Sequence, residues 1–228
     1  GTIATWNVLE AMRRTGSKRI VLASSGTVYG DTSRSCAEAD LGELPISLYG
    51  ASKLAGEALV SAYCECFDLR GHIFRFGNVV GPRGTHGAAL DFLRKLEQTQ
   101  GKELEVLGDG AQAKPYVFVE DCVLGMLFGL DHAAERLNVL NIAPPDTTSV
   151  KRIAELCVLA SPYPGAPIRY TGGARGWRGD VPQSRLDPSK LAALGFSVRR
   201  SSDEAVREAV QALAREVFGE RARTLVGA

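Results

Sequence analysis

Three short apolar runs set the fold class of this chain. Residues 19–24 (RIVLAS), 72–76 (HIFRF) and 137–142 (LNVLNI) are too short for helices and rich in strand-forming residues. Such runs read as strands buried within a sheet. Between them lie segments with helical apolar spacing. Residues 3–14 carry Ile3, Val8, Leu9 and Met12, with Gly16 as a stop. Residues 49–67, 88–97 and 120–130 are read the same way. Strands alternating with helices argue for a mostly parallel sheet covered by helices. Further strands are expected at 104–106, 116–119 and 167–170. Further helices are expected at 149–160, with Ser149 as N-cap, and at 202–218. The polar stretch 26–47 is too long for a simple connection, and such loops are often functional. From Asn78 onward the connections become rich in glycine and proline and are read as loops.

Charge and composition exclude several classes. The formal net charge is +1, which gives no electrostatic case for nucleic acid or a membrane surface. No window of eighteen uninterrupted apolar residues occurs, so no membrane-spanning helix is expected. Residues 1–13 lack the layout of a secretory signal. Cys36, Cys64, Cys66, Cys122 and Cys157 are odd in number and irregular in spacing, as for reduced thiols in a cytoplasmic protein. Cys64 and Cys66 resemble a chelating pair, but two residues apart on a helix they point to different faces. No metal site is expected.

Two short motifs carry chemistry. In Tyr49-Gly-Ala-Ser-Lys53 the tyrosine and lysine stand four apart, one turn along the same helix face. An ammonium beside a phenol favours the phenolate form, which suits a proton shuttle for alcohol–ketone interconversion. Alone, this spacing also fits a solvated Tyr–Lys pair. The second motif, Ala23-Ser24-Ser25-Gly26-Thr27-Val28-Tyr29-Gly30, sits at the C-terminal end of the first strand, where open parallel sheets bind ligands. Its two hydroxyls can hold a reacting alcohol toward the tyrosine.

Together the motifs resemble those of the extended short-chain dehydrogenases, and within them the UDP-glucose 4-epimerase group. ASSGTVYG is followed by LYGASKLAGE, then by Arg75-Phe-Gly-Asn78-Val-Val-Gly81-Pro82-Arg83. Gly108-Asp-Gly-Ala-Gln-Ala-Lys114, Tyr116-Val-Phe-Val-Glu-Asp121, Asn141-Ile142 and Gly179-Asp180-Val181 continue the pattern in family order. The resemblance implies that Tyr49 is the catalytic acid/base, Lys53 its partner and a ligand of the nicotinamide ribose, and Ser25 the hydroxyl on the reacting alcohol. It places Ser24 and Gly77 along the nicotinamide, Asn78 at the diphosphate, Lys114 in place of a phosphate-binding arginine, and Asp180 near the nucleotide. Where relatives often show an arginine before Gly179-Asp180, this chain has Trp177, flanked by Arg175 and Arg178. Arg175 is taken as the substrate-binding candidate, with Arg178 as its alternative. Phe76, Tyr116 and Trp177 are read as packing residues.

The implied fold is α/β: an incomplete Rossmann-type doubly wound sheet with a smaller α+β substrate lobe toward the C-terminus. Residues 1–78 and 116–142 are assigned to the NAD-binding part, and 79–115 and 143–228 to the substrate lobe. No glycine-rich turn follows an early strand, although such turns normally hold the dinucleotide pyrophosphate. The stretch is therefore read as lacking an N-terminal segment and, alone, as holding NAD weakly. The expected activity is an NAD-dependent nucleotide-sugar 4-epimerase working through a transient 4-keto sugar. A 4,6-dehydratase is the nearest rival, but Gly26-Thr27-Val28 stands where dehydratases carry an acidic pair. A reductase of the same family and a non-catalytic remnant are the other readings. A homodimer through helices 3–14 and 49–67 is a family expectation.

Overall fold

The computed structural model describes residues 1–40 and 43–225; Leu41 and Gly42 of the polar stretch, and residues 226–228 of the expected substrate lobe, lie outside the described residues. The chain runs α1 (Thr2–Thr15), β1 (Arg19–Ala23), a 3-10 turn (Gly26–Tyr29), β2 (Ser35–Cys36), α2 (Leu48–Phe67), β3 (Arg70–Phe76) and β4 (Asn78–Val80). It continues through α3 (Ala88–Thr99), β5 (Leu104–Val106), β6 (Ala113–Lys114), β7 (Tyr116–Phe118), α4 (Val119–His132), β8 (Leu137–Ile142), β9 (Thr148–Ser149) and α5 (Val150–Ala160). Last come β10 (Ile168–Tyr170), β11 (Arg185–Leu186), α6 (Ser189–Ala193), α7 (Ser202–Phe218) and a second 3-10 turn (Gly219–Arg221).

The three apolar runs form one parallel sheet in the order β1-β3-β8. Successive side chains on a strand face opposite ways. Ile73 accordingly packs with Leu9 of α1 and Val60 and Tyr63 of α2, while Phe74 packs with Cys122 of α4 and Leu140. Helices cover both faces, so the sheet is doubly wound, as expected.

Two expectations need correction here. Residues 19–24 are not a fully buried strand: Ile20 is buried, but Val21 is 42% exposed. The reason is that β1 pairs with β3 alone, and among the described residues nothing pairs with its other edge. Likewise α1 buries only Leu9 and Met12 of its predicted apolar face, and Ile3 and Val8 are exposed.

The predicted helix signals hold. Gly16 closes α1 in the left-handed region at φ 76°, its N–H returning to Met12 O. Ser149 Oγ accepts from Arg152 N at 3.1 Å at the start of α5. Cys64 is buried and Cys66 exposed, on different faces of α2.

The second half has its own apolar core. Leu93 and Leu96 of α3, Leu104 of β5, Ile153 and Leu156 of α5, and Val210 of α7 are buried in one cluster. Short ladders stitch it to the rest: β4 with β7 and β2 with β11 parallel, β6 with β9 antiparallel. The segment from Asn78 is therefore not the loop read from its glycines. It forms β4, because Gly77 N donates to Ile142 O at 3.0 Å and Asn78 N to Pro115 O at 2.8 Å. The chain thus steps directly from the central sheet to a second one. Only glycine fits that step, since a Cβ on Gly77 would lie 2.7 Å from Pro115 O. No described helix is long and apolar enough to cross a membrane.

Candidate active site

A cleft of about 260 Å³ opens at the C-terminal ends of β1 and β3, where open parallel sheets place their ligands. It brings together Ser25, Tyr49, Gly77, Asn78, Lys114 and Asp180. These come from five separate stretches of chain, and each is delivered by a specific local device.

Ser25 is extended, at φ −157° and ψ 150°, and caps the 3-10 turn. Its Oγ accepts from Thr27 N at 3.2 Å and from Thr27 Oγ1 at 3.0 Å. Both bonds use the oxygen's lone pairs, so the Ser25 hydroxyl proton stays available for donation. Tyr49 lies in the first turn of α2, which Ser47 caps by accepting from Gly50 N at 3.0 Å. At Gly50 the helix presses on the turn below: a Cβ there would come within 2.9 Å of Thr27 O and of Pro45 Cβ. That approach seats the start of α2 beside the Ser25 turn. Tyr49 is 56% exposed, facing the cleft.

Lys53 stands one turn further along α2. Its ammonium lies 5.4 Å from the Tyr49 ring centroid and donates to Ala23 O at 2.7 Å. Two of its three N–H groups remain uncommitted. Ser24, in contrast, does not line the cleft. It is buried, with its backbone N on Phe74 O at 2.8 Å and its hydroxyl donating to Glu57 Oε1.

At the other wall, Lys114 Nζ donates to Asp180 Oδ1 at 2.6 Å. Asp180 Oδ2 accepts from Gly176 N at 3.2 Å. The lysine charge is therefore already balanced, which weakens its pull on a phosphate relative to a free cation. Arg175 does not line the cleft. It clamps the adjoining loop, donating to Asp180 O at 2.7 Å and to Asp31 Oδ2 at 2.6 Å. Trp177 is not a packing residue: it is 60% exposed and stands at the cleft wall near Gly179. Tyr116 does pack, and its burial pushes its phenol up to about 12.

Sequence reasoning missed a buried polar network behind the cleft. Arg75 Nη2 donates to Glu57 Oε2 at 2.6 Å and Arg75 Nε to Glu57 Oε1 at 3.0 Å. Arg75 Nη1 reaches Tyr29 Oη and Glu38 O, both at 3.0 Å. Tyr29 donates to Asn141 Oδ1 at 2.7 Å, and Asn141 Nδ2 donates to Cys36 O and Asp187 O, both at 2.9 Å. Burial raises the Tyr29 phenol to about 12. One signal was available: Glu57 falls four residues after Lys53, so Tyr49, Lys53 and Glu57 share one helix face.

A doubly wound parallel sheet with a serine hydroxyl and an exposed tyrosine at its strand ends defines a class: open α/β proteins that take their ligands at those ends. Within it, the profile of the NAD dependent epimerase/dehydratase family matches residues 1–143, and the chain belongs to that family. It is 34% identical over 202 residues to GDP-mannose 3,5-epimerase of Arabidopsis thaliana, covering 83% of this chain and 52% of that protein. The chain spans about half the length of such curated relatives. Among solved structures, a UDP-galactose 4-epimerase superposes with TM-score 0.84 at 35% identity, covering 95% of this chain and 70% of that one. MoeE5, solved in complex with UDP-glucuronic acid and NAD, superposes with TM-score 0.81 at 27% identity, covering 94% and 71%.

Proposed function

We propose that this chain carries the proton-handling and substrate-binding part of an NAD-dependent nucleotide-sugar 4-epimerase. The observation that carries the reading is the meeting of Ser25 and Tyr49 in one cleft at the strand ends, with Lys53 one turn behind. The residues present fit the ribose end of the dinucleotide. The free N–H groups of Lys53 lie beside the exposed phenol, and residues 1–228 hold no glycine-rich strand–turn–helix for the pyrophosphate. The assignment of 1–78 and 116–142 to the cofactor side, and of the remainder to the substrate side, belongs to the same proposal.

When bound, NAD would accept a hydride from the sugar carbon and return it to the opposite face. Ser25 donates its free proton to the sugar alcohol and orients it. Tyr49 takes the proton from that alcohol as the ketone forms, then gives it back. Lys53 stands one turn behind, its ammonium 5.4 Å from the Tyr49 ring centroid, with two N–H groups free for the ribose of the dinucleotide. Asn78 and Lys114 meet the nucleotide diphosphate, Asp180 orients Lys114 near the nucleotide, and Arg175 keeps the Asp180 loop in place.

A 4,6-dehydratase is disfavoured because Thr27 follows Gly26 and bonds Ser25, leaving no acid at that position to eliminate water. UDP is the nucleotide favoured here, and the 3,5-epimerase relative makes GDP-mannose the second substrate to try.

The test is to incubate the intact protein and its Tyr49→Phe variant with NAD and UDP-glucose, UDP-galactose, UDP-glucuronate or GDP-mannose. Chromatography then reads inversion, or loss of water. Tyr49→Phe should lower kcat by at least ~100-fold. Near-normal turnover in the variant removes Tyr49 from the proton-transfer role, and loss of water replaces the epimerase by a dehydratase.

A further inference from the structure

One face of α2 bonds two consecutive residues at the end of β1 and shares a cleft with the third. Tyr49, Lys53 and Glu57 lie four apart, stacked along the helix. Glu57 holds the Ser24 hydroxyl, Lys53 Nζ holds Ala23 O at 2.7 Å, and Tyr49 faces the same cleft as Ser25. Glu57 is buried, and a carboxylate so placed needs a partner. Arg75 supplies it from β3 through bonds of 2.6, 3.0 and 3.2 Å, itself fixed by Tyr29 and Glu38 O. The carboxylate is thus locked in orientation on both sides, and the hydroxyl it holds belongs to the residue directly before Ser25.

We propose that Glu57, oriented by Arg75, is a positioning residue: by holding Ser24 it sets the distance between the Ser25 hydroxyl and the Tyr49 phenol. It touches neither substrate nor cofactor. This role rests on Ser25 and Tyr49 acting as proposed, but the Ser24 tie either restrains the Ser25 turn or does not, whatever passes through the cleft.

Ser24→Ala is the cleaner variant, since it removes the tie and leaves the Glu57–Arg75 pair intact. Glu57→Gln is the second, keeping size and an acceptor oxygen while removing the charge. Both are compared with the unaltered intact protein in two measurements. The first is amide hydrogen exchange. Release of the tie should speed exchange across residues 24–30 by about tenfold, and leave residues 153–160 of the distant apolar core unchanged. The second is steady-state kinetics with whichever nucleotide sugar the protein turns over. A misplaced hydroxyl should lower kcat about tenfold while KM stays within about twofold. A purely structural role would lower thermal stability and leave kcat of the folded fraction alone.

Faster exchange in the turn with lower kcat supports the assignment. Unchanged exchange across 24–30 in folded Ser24→Ala overturns it, and so does kcat within about twofold of the unaltered protein. If the protein turns over no nucleotide sugar, the epimerase reading fails by itself, and the exchange measurement still decides whether Glu57 restrains the turn.

Discussion

The polar network behind the cleft and the apolar core under α3, α5 and α7 are equally deep, and they are held together in opposite ways. Leu93, Leu96, Leu104 and Ile153 need only neighbours of the right size, and the gain is non-directional. Arg75, Glu57, Tyr29 and Asn141 need particular atoms at particular angles, and each costs free energy if left unmatched. The first region tolerates reshaping within its volume, whereas the second fixes geometry to a fraction of an ångström. The region behind the cleft is the one built from directional bonds.

The sharpest way to break the contrast is Arg75→Met. It strands the Glu57 carboxylate in the interior and should cost about 3–5 kcal/mol, read as a fall in unfolding free energy in urea. Adding Glu57→Met should recover most of that loss, because an apolar pair of similar volume replaces the ions. If the double variant is no better than the single, hydrogen bonding rather than stranded charge dominates. In the apolar core, Leu96→Ala should cost about 3 kcal/mol through lost burial and the cavity left behind. It should leave exchange in residues 24–30 unchanged. Altered exchange there would show that the two regions are mechanically coupled.

Tyr29→Phe should cost about 2 kcal/mol at neutral pH, because Arg75 Nη1 and Asn141 Oδ1 each lose a partner. It also carries a pH signature. Burial raises the Tyr29 phenol from 10.0 to about 12. The unfolded chain therefore releases this proton first as pH rises. Its contribution is full below pH 10 and is lost as pH climbs toward 12. The phenylalanine variant should lose less stability than the parent between those limits, and parallel curves would show that Tyr29 is not the group titrating. The smallest effect is at the edge of the apolar region. Ser201 caps α7 in a reciprocal box with Glu204, and Ser201→Ala should cost about 1 kcal/mol in the same measurement.

The two regions also differ in how far the sequence reveals them. The apolar core follows period and end signals, so α5 with its Ser149 cap and the full span of α7 could be placed from local pattern. The central strands were equally legible, but the exposure of Val21 was not. Exposure depends on which strand lies beside β1, and no local signal carries that. β4 was hidden because the chain from Asn78 onward is rich in glycine and proline, and its pairing depends on Gly77 being small enough to pass Pro115 O. The motifs that hold Tyr49, Lys53 and Ser25 were legible because they are compact in sequence, and the fold brings Tyr49 and Ser25 into one cleft. Arg75 and Asn141 stand 66 residues apart in the chain and meet as register partners of β3 and β8, both bonded to Tyr29 and Glu38, a relation that needs coordinates. Arg175 was placed in the site because it neighbours the position where relatives often show an arginine, but it serves the loop around Asp180 instead of the cleft.

The single-residue step at Gly77 has one more consequence. Phe76 ends β3, which lies beside the strand that runs into Ser25, and Asn78 begins β4, which pairs with β7 just after Lys114 and Pro115. Two peptide units separate them, a span of at most about 7 Å along the backbone. Covalent geometry, which does not breathe as loops do, thus gauges the cleft like fixed calipers. The two sheets therefore keep one separation along the floor of the cleft, whatever the loops around its rim do.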